Sequence, residues 1–208
     1  MPIISYTQAR SLINEGDVVL IRGHSIWSWF IQKFGRSPYS HVGLASWHNG
    51  QNILELIEFR EKIGGRSSNL SYTVKDNSGL IDIYRPADYY QKVFFKHNQI
   101  YREQVKLDTK AITNTLRNMT GRPYGWATIR RFVKRNMLVL RLVYKSTESI
   151  NDKPKKLIYP VCSTAVAYAF NTNNFDLLRN KGDSWMEPGH IALSPLLHYL
   201  FTVIWDGD

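Results

Sequence analysis

Two β-type runs joined by Asn49-Gly50 limit the fold of this chain more than any other feature. Residues 41–47 and 52–60 are rich in β-branched and large apolar side chains, which is typical of strands. Asn-Gly is the strongest short signal for a hairpin turn, because a type I′ turn needs positive φ at both central residues. The sequence therefore predicts an antiparallel hairpin.

The register of that hairpin decides which polar side chains share a face. If Asn49 and Gly50 are the central turn residues, His41 lies directly across from Glu58 and on the same face. The same register places Glu55 on the other face. A bulge of one residue would exchange the two glutamates, so both remain candidate partners of the histidine.

The remaining patterns extend the hairpin into a sheet that is followed by helices. Compact β-type runs occupy residues 17–22 and 80–85, and the Gly-rich stretch around Gly64-Gly65 is interpreted as a link. Helices are predicted at residues 8–14, 25–34, 108–119, 124–140, 163–171 and 195–201. This order is typical of an α+β fold. We expect one domain over residues 1–208, with a lysine-rich loop at 145–156.

Composition favours an ordinary globular protein. The chain has 208 residues, of which 43% are hydrophobic, so it can bury a substantial core. Its apolar runs are shorter than the roughly 18 residues that cross a bilayer. The first residues lack the basic flank and apolar stretch of a secretory signal, so we expect a cytoplasmic protein.

The net charge of +10 permits two interpretations. It can attract an anionic polymer or an anionic membrane surface, or it can be an ordinary solvated basic surface. Residues 129–143 mix basic and apolar side chains, which fits a core-packed helix with a basic outer face or a helix lying on a membrane. No nucleic-acid-binding motif accompanies the charge, so we expect no specific nucleic-acid binding.

Cys162 is the only cysteine, which excludes an internal disulfide and multi-cysteine metal sites. A proline stands two residues before it and small residues follow, which predicts the first turn of a helix. Free N–H groups and the helix dipole at that position stabilise a thiolate and can bind an oxyanion. The alternative is an inert buried cysteine. His190 and His198 lie eight residues apart near the C-terminus and the other histidines are scattered, so we expect neither a metal nor a cofactor.

His41 and Glu58 are the candidate partners of this cysteine. An imidazole can deprotonate a thiol and later protonate a leaving group, and a carboxylate can orient the ring. His41 shares a face with Gly43 and Ala45, whose small side chains we expect to admit the cysteine-bearing helix. The alternatives are a strand-edge histidine without a catalytic role and a solvent-facing glutamate.

Three segments in this order resemble the permuted papain-like superfamily. They are Gly-Asp-Val-Val-Leu at 16–20, Ser-His-Val-Gly-Leu at 40–44 and Tyr-Pro-Val-Cys-Ser at 159–163. The superfamily includes NlpC-related amidases of the YaeF and YiiX type and lecithin:retinol acyltransferase-like proteins, and its histidine precedes its cysteine. Residues 58–66 and 188–195 further resemble phage-encoded members.

The resemblance implies a circularly permuted, papain-like (NlpC-like) α+β fold, in which an antiparallel sheet packs against the helix that bears the cysteine. Carried over residue by residue, Cys162 would be the nucleophile, His41 the base and Glu58 the third polar residue. Tyr39 and Tyr124 resemble aromatic positions that line the substrate cleft in such proteins.

The expected function is that of a cysteine-dependent hydrolase that cleaves an amide bond, in a peptide or a cell-wall peptide, through an acyl-enzyme. A lipid acyl hydrolase or acyltransferase is the first alternative, since active-site geometry does not fix the substrate. A non-catalytic phage structural or interaction protein is the second. A phage-encoded member would be associated with the virion.

Overall fold

The computed structural model describes residues 2–24, 26–48, 52–77, 79–96, 99–127, 160–178 and 181–206. Its strands are β1 (Ile3–Ser5), β2 (Val18–Arg22), β3 (His41–His48), β4 (Ile53–Arg60), β5 (Gly64–Asn69), β6 (Leu80–Pro86), β7 (Tyr89–Lys96), β8 (Gln99–Lys106) and β9 (Leu197–Ile204). Its helices are α1 (Tyr6–Arg10), α2 (Ile26–Gly35), α3 (Leu70–Asp76), α4 (Thr109–Arg117), α5 (Cys162–Thr172) and α6 (Pro188–Ala192), with a 3₁₀ turn at Asp183–Trp185.

Seven strands form one sheet in the order β1-β9-β6-β2-β3-β4-β5. All neighbours in this sheet are antiparallel except β1 and β9, which run parallel. Strands β7 and β8 form a separate antiparallel ribbon. The predicted α+β class with a mainly antiparallel sheet is confirmed. None of the described helices is long and apolar enough to cross a membrane.

The two faces of the sheet are covered by different helices. On one face, Val42 and Leu44 of β3 share a buried cluster with Ala165 and Phe170 of α5. On the other face, Ala45 lies among side chains from α1 and α3. The expectation that small residues would admit the cysteine-bearing helix is therefore wrong, since α5 packs over the branched side chains of the opposite face.

The hairpin of β3 and β4 forms, but with a shifted register. Glu58 pairs with Gly43 instead of His41, and His48 pairs with Ile53, so the connection spans residues 49–52. Asn52 there has a φ of +50°. The shift from the predicted register is two residues, and side chains alternate with a period of two. His41 and Glu58 therefore still share a face, as diagonal neighbours.

Gly64-Gly65 opens strand β5, although the sequence predicted a link. Gly64 has a φ of +87°, and a Cβ there would lie 2.2 Å from the carbonyl oxygen of Arg122. Gly65 donates its N–H to the Arg122 carbonyl at 2.9 Å, and Gly121 donates to the Gly65 carbonyl at 2.8 Å. The glycines thus allow the backbone of residues 121–124 to lie directly against the sheet.

Two other predictions fail near the edges of the sheet. Residues 195–201 were predicted as a helix but contribute to β9, which pairs with β1 and β6 and buries Phe201 and Val203. The ribbon of β7 and β8 was not predicted at all. The helix predicted at 124–140, the basic segment 129–143 and the loop 145–156 lie largely or wholly outside the described residues.

Candidate active site

Cys162 is the first residue of α5, as the sequence predicted to within one position. The first backbone hydrogen bond of the helix runs from Ala165 N–H to the Val161 carbonyl at 2.9 Å. The N–H groups of residues 162–164 therefore have no acceptor within the helix. Val161 occupies the N-cap and has no side-chain oxygen that could accept from them. These donors, and the positive end of the dipole, surround the cysteine.

Side-chain hydrogen bonds fix the start of α5. Thr164 Oγ1 accepts from the Val161 N–H at 2.9 Å, and Ser163 Oγ donates to the Met186 carbonyl at 2.7 Å. Both side chains are buried, as is Cys162. The position of the sulfur is thus held by the segments on both sides of the helix.

His41 is the first residue of β3 and lies between the cysteine and the glutamate. Its Nε2 lies 2.6 Å from Glu58 Oε2, so Nδ1 is the ring nitrogen that remains for a second partner. Burial alone would lower the pKa of His41. The charge and hydrogen bond of Cys162, and then those of Glu58, outweigh burial and raise the pKa to about 10. Between these two groups the imidazole is held as imidazolium at neutral pH.

Glu58 is 1% exposed and uses both carboxylate oxygens. Oε2 faces His41, while Oε1 accepts from Arg66 Nε at 2.8 Å and Nη2 at 2.6 Å. Burial alone would raise the pKa of Glu58. The hydrogen bonds and charges of His41 and Arg66 outweigh burial and lower the pKa to about 2. The carboxylate is therefore ionised at neutral pH.

Arg66 is a site residue that the sequence reasoning missed. It lies on β5 directly opposite Glu58 on β4, so the contact is a cross-strand pair. Recognition of residues 64–69 as a strand would have revealed it.

The structure separates the two candidate glutamates. Glu55 accepts from Arg117 Nη1 at 2.8 Å and lies 3.5 Å from His48 Nδ1. Burial alone would raise the pKa of Glu55. The hydrogen bond from Arg117, together with weaker contacts, outweighs burial, so the pKa is lowered. It is Glu58, not Glu55, that contacts His41.

Tyr124 lies beside the cysteine, because the next residue, Gly125, donates its N–H to the Pro160 carbonyl at 2.9 Å. Tyr124 is 6% exposed, and its hydroxyl has no oxygen or nitrogen hydrogen-bond partner among the described residues. Burial, and then the charge of the nearby Cys162 sulfur, raise the pKa of this phenol well above its ordinary value. The hydroxyl thus stays protonated as a donor. Trp126 packs edge-on against the ring at 5.4 Å.

Tyr39, the other tyrosine that the resemblance indicated, is tied to a different group. Its hydroxyl donates to Asp82 Oδ2 at 2.7 Å and lies 2.9 Å from the Tyr84 hydroxyl. Asp82 also accepts from Arg22 and, at 2.6 Å, from Thr202 Oγ1. The structure therefore places the Tyr39 hydroxyl in a buried network around Asp82.

Among the described residues, no group of three or more histidine, cysteine, aspartate and glutamate side chains is arranged to hold a metal ion.

Comparison with known proteins indicates a fold and no more. No protein-family model matches the chain, and no curated protein matches it. Among solved structures, the chain is similar to metalloprotein YiiX from Escherichia coli O157:H7, with a TM-score of 0.54 and 15% sequence identity. The alignment covers 90% of this chain and 96% of YiiX. The chain thus has a YiiX-like α+β fold, in which Cys162, His41 and Glu58 lie together.

Proposed function

We propose that this protein is a cysteine-dependent hydrolase with a permuted papain-like fold, which cleaves an amide bond in a peptide or cell-wall peptide. The observation that carries the proposal is the 2.6 Å contact between His41 Nε2 and Glu58 Oε2, close enough to the buried Cys162 that the cysteine contributes to the raised pKa of His41. A nucleophile, a base and an orienting carboxylate in this order are the arrangement that activates a thiol or hydroxyl in hydrolases.

The first step forms the acyl-enzyme bond. His41 holds the proton of Cys162, and the sulfur attacks the carbonyl carbon of the substrate. A carbon–sulfur bond forms while the electron pair of the carbonyl moves to its oxygen. Glu58 keeps the imidazolium oriented and remains ionised, since its pKa is about 2.

Two kinds of donor are available to the oxyanion. The N–H groups of residues 162–164, which have no acceptor within the helix, lie at the start of α5 with Cys162, and the Tyr124 hydroxyl is buried nearby without an oxygen or nitrogen partner in the described structure. Donors fixed in a buried site stabilise charge that develops in the transition state. Tyr124 therefore serves as an oxyanion donor in this mechanism.

The acyl-enzyme is then resolved by water. His41 donates its proton to the leaving amine, and the carbon–nitrogen bond breaks to leave a thioester on Cys162. His41 next takes a proton from water as the water attacks the thioester. The carbon–sulfur bond breaks, a carboxylic acid leaves, and the proton that His41 took from water stays on the imidazole beside the released sulfur, which restores the starting state.

Amide substrates are preferred over lipid esters because of charge. The same three groups can cleave either bond, but a net charge of +10 suits the anionic polymers of a cell wall. The sequence motifs at 16–20, 40–44 and 159–163, which resemble NlpC-related amidases, support this choice.

The proposal is tested by mass spectrometry of Cys162 after brief incubation with cell-wall peptide fragments and, separately, with phospholipids. We expect a peptide-derived acyl adduct on Cys162 of the wild-type protein and of the matched control Glu55→Gln, but none in His41→Ala. A lipid-derived acyl adduct would overturn the amide assignment. No adduct from either pool, with an unreactive thiol, would favour a non-catalytic protein.

A further inference from the structure

The ribbon of β7 and β8 stands apart from the seven-stranded sheet and is fixed at its base. The Tyr90 ring packs edge-on against Phe175 at 5.1 Å, and its hydroxyl donates to the Asn174 carbonyl at 2.9 Å. A two-stranded ribbon alone is marginally stable in water. This anchor therefore supports a ribbon whose β8 side chains are largely exposed.

One face of the ribbon combines exposed apolar side chains with cations. Strand pairing puts Tyr89 and Val93 of β7 on the same face as Ile100, Arg102 and Lys106 of β8. The apolar three are 54%, 45% and 60% exposed, and both cations are exposed as well. We call these five residues the ribbon face.

The ribbon face has no carboxylate within strands β7 and β8. Glu103 is the only acidic residue of the two strands, and it pairs with Lys92 on the opposite face. An exposed surface with cations, apolar side chains and no anion is complementary to a partner that is anionic outside and apolar beneath.

We propose that the ribbon face docks on the surface of an anionic lipid bilayer. Strands rise about 3.3 Å per residue, so Arg102 lies about 7 Å and Lys106 about 20 Å from Ile100 along the ribbon. Apolar side chains of interfacial segments reach about 5–10 Å into a bilayer. When the ribbon lies flat with this face on the surface, Val93 and Ile100 enter the bilayer, and Arg102 and Lys106 on the same face both lie near the lipid phosphates.

The aliphatic side chains favour lipid over single-stranded nucleic acid. Bases stack on aromatic rings and on arginine planes, whereas Val93 and Ile100 have no π-face to offer. Both are exposed, and their burial in an acyl layer removes apolar surface from water.

The ribbon face is separate from the candidate active site. Tyr90 anchors the ribbon beyond the C-terminal end of α5, whereas Cys162 begins that helix. An 11-residue helix is about 16 Å long. Lipid docking can therefore be measured without reference to catalysis, and its failure leaves the proposed hydrolase untouched.

The test is co-sedimentation of the full chain with vesicles of phosphatidylcholine, either alone or mixed with an equal amount of phosphatidylglycerol. We expect binding to the anionic vesicles, which weakens as salt is raised. Arg102→Gln with Lys106→Gln should reduce that binding roughly 10- to 30-fold, because each basic residue near an anionic surface adds about a factor of five. Val93→Ser with Ile100→Ser should reduce it about tenfold.

Two controls separate docking from general charge. Lys75→Gln with Lys110→Gln removes the same charge from exposed sites elsewhere, and Lys92→Gln with Glu103→Gln alters the other ribbon face without a change in net charge. Both should bind within about twofold of wild type. Equal losses in the ribbon-face and control variants would overturn the proposal, as would absent binding to anionic vesicles. Binding of a single-stranded oligonucleotide but not of vesicles would replace lipid with nucleic acid.

Discussion

Two buried carboxylates, Glu58 and Asp82, are both paired with arginine but differ in their other neighbours. Glu58 is 1% exposed and Asp82 is fully buried. Each is hydrogen-bonded to an arginine, Arg66 in the first case and Arg22 in the second, and Glu58 also has Arg60 Nη1 at 3.8 Å. Buried ion pairs also occur as purely structural features, so pairing alone does not identify a catalytic carboxylate.

The second partner makes the difference. Glu58 contacts the imidazole of His41, a group that can carry a proton to and from a sulfur. Asp82 instead accepts from the hydroxyls of Tyr39 and Thr202, which join β6 to β9 and to the residue two positions before β3. The comparison teaches that the chemistry of a buried carboxylate depends on whether its neighbour can exchange a proton.

The largest expected effects come from exchanging each carboxylate for its amide. Glu58→Gln should lower turnover by roughly 10²- to 10⁴-fold, because the histidine loses its orienting charge. Asp82→Asn should leave the reactivity of Cys162 near wild type but cost about 2–3 kcal/mol of unfolding free energy, since Arg22 loses its charged partner. Turnover and urea unfolding should both be measured on both variants, so that the effect of each substitution on activity is separated from its effect on stability.

The comparison breaks if the two variants behave alike. A loss of reactivity in Asp82→Asn as large as that in Glu58→Gln, in protein that remains folded, would show that the Asp82 network also serves the site. Wild-type turnover in Glu58→Gln would remove the carboxylate from the mechanism.

The two tyrosines give the next effect. Tyr124→Phe should lower turnover by about 10²-fold while leaving stability unchanged, because its hydroxyl has no oxygen or nitrogen partner in the described structure. Tyr39→Phe should reduce stability by roughly 1–2 kcal/mol and leave turnover alone, because it removes the donor to Asp82. Thermal unfolding and initial rates distinguish these outcomes, and a reversed pattern would exchange the two roles.

A smaller effect is expected from Arg66→Gln, and it depends on pH. Arg66 helps to hold the pKa of Glu58 at about 2. A carboxyl whose pKa is lowered by folding stabilises the folded state at pH values above its ordinary pKa of about 4.5. This stabilisation is lost as the pH falls toward 2. Without Arg66 the pKa rises, so the difference in unfolding free energy between pH 7 and pH 3 should shrink. An unchanged difference would mean that Arg66 does not act on Glu58.

The smallest effect is expected at the other glutamate. Glu55→Gln removes a partly exposed pair with Arg117, which should cost no more than about 1 kcal/mol. Turnover should match wild type. A loss comparable to that of Glu58→Gln would return Glu55 to the candidate triad.

The hairpin shows why part of the site could be predicted from the sequence. The turn was placed wrongly, and Glu58 pairs with Gly43 instead of His41. The error was an even number of residues, so the faces of His41 and Glu58 were still assigned correctly. Because side chains alternate between the two faces, an even shift in register leaves each residue on its predicted face. The same shift changes which residue lies opposite.

Strands β5 and β9 could not be predicted from the sequence, because tertiary contacts determine them. Gly64 and Gly65 carry no side chain that could show alternation, and only the close approach of Arg122 explains why glycine stands there. Arg66 was missed for this reason. The C-terminal strand β9 was missed because Leu197–Ile204 has an ambiguous apolar pattern, which pairing with β1 and β6 resolves.

The central claim, that His41 activates Cys162, is tested most directly by the rate of iodoacetamide alkylation at Cys162 as a function of pH. Wild-type protein should react at about pH 6 nearly as fast as at pH 8, because the imidazole holds the thiol proton. His41→Ala should react slowly until the pH exceeds about 8. Equal, slow alkylation of the two folded proteins at pH 6 would contradict the account.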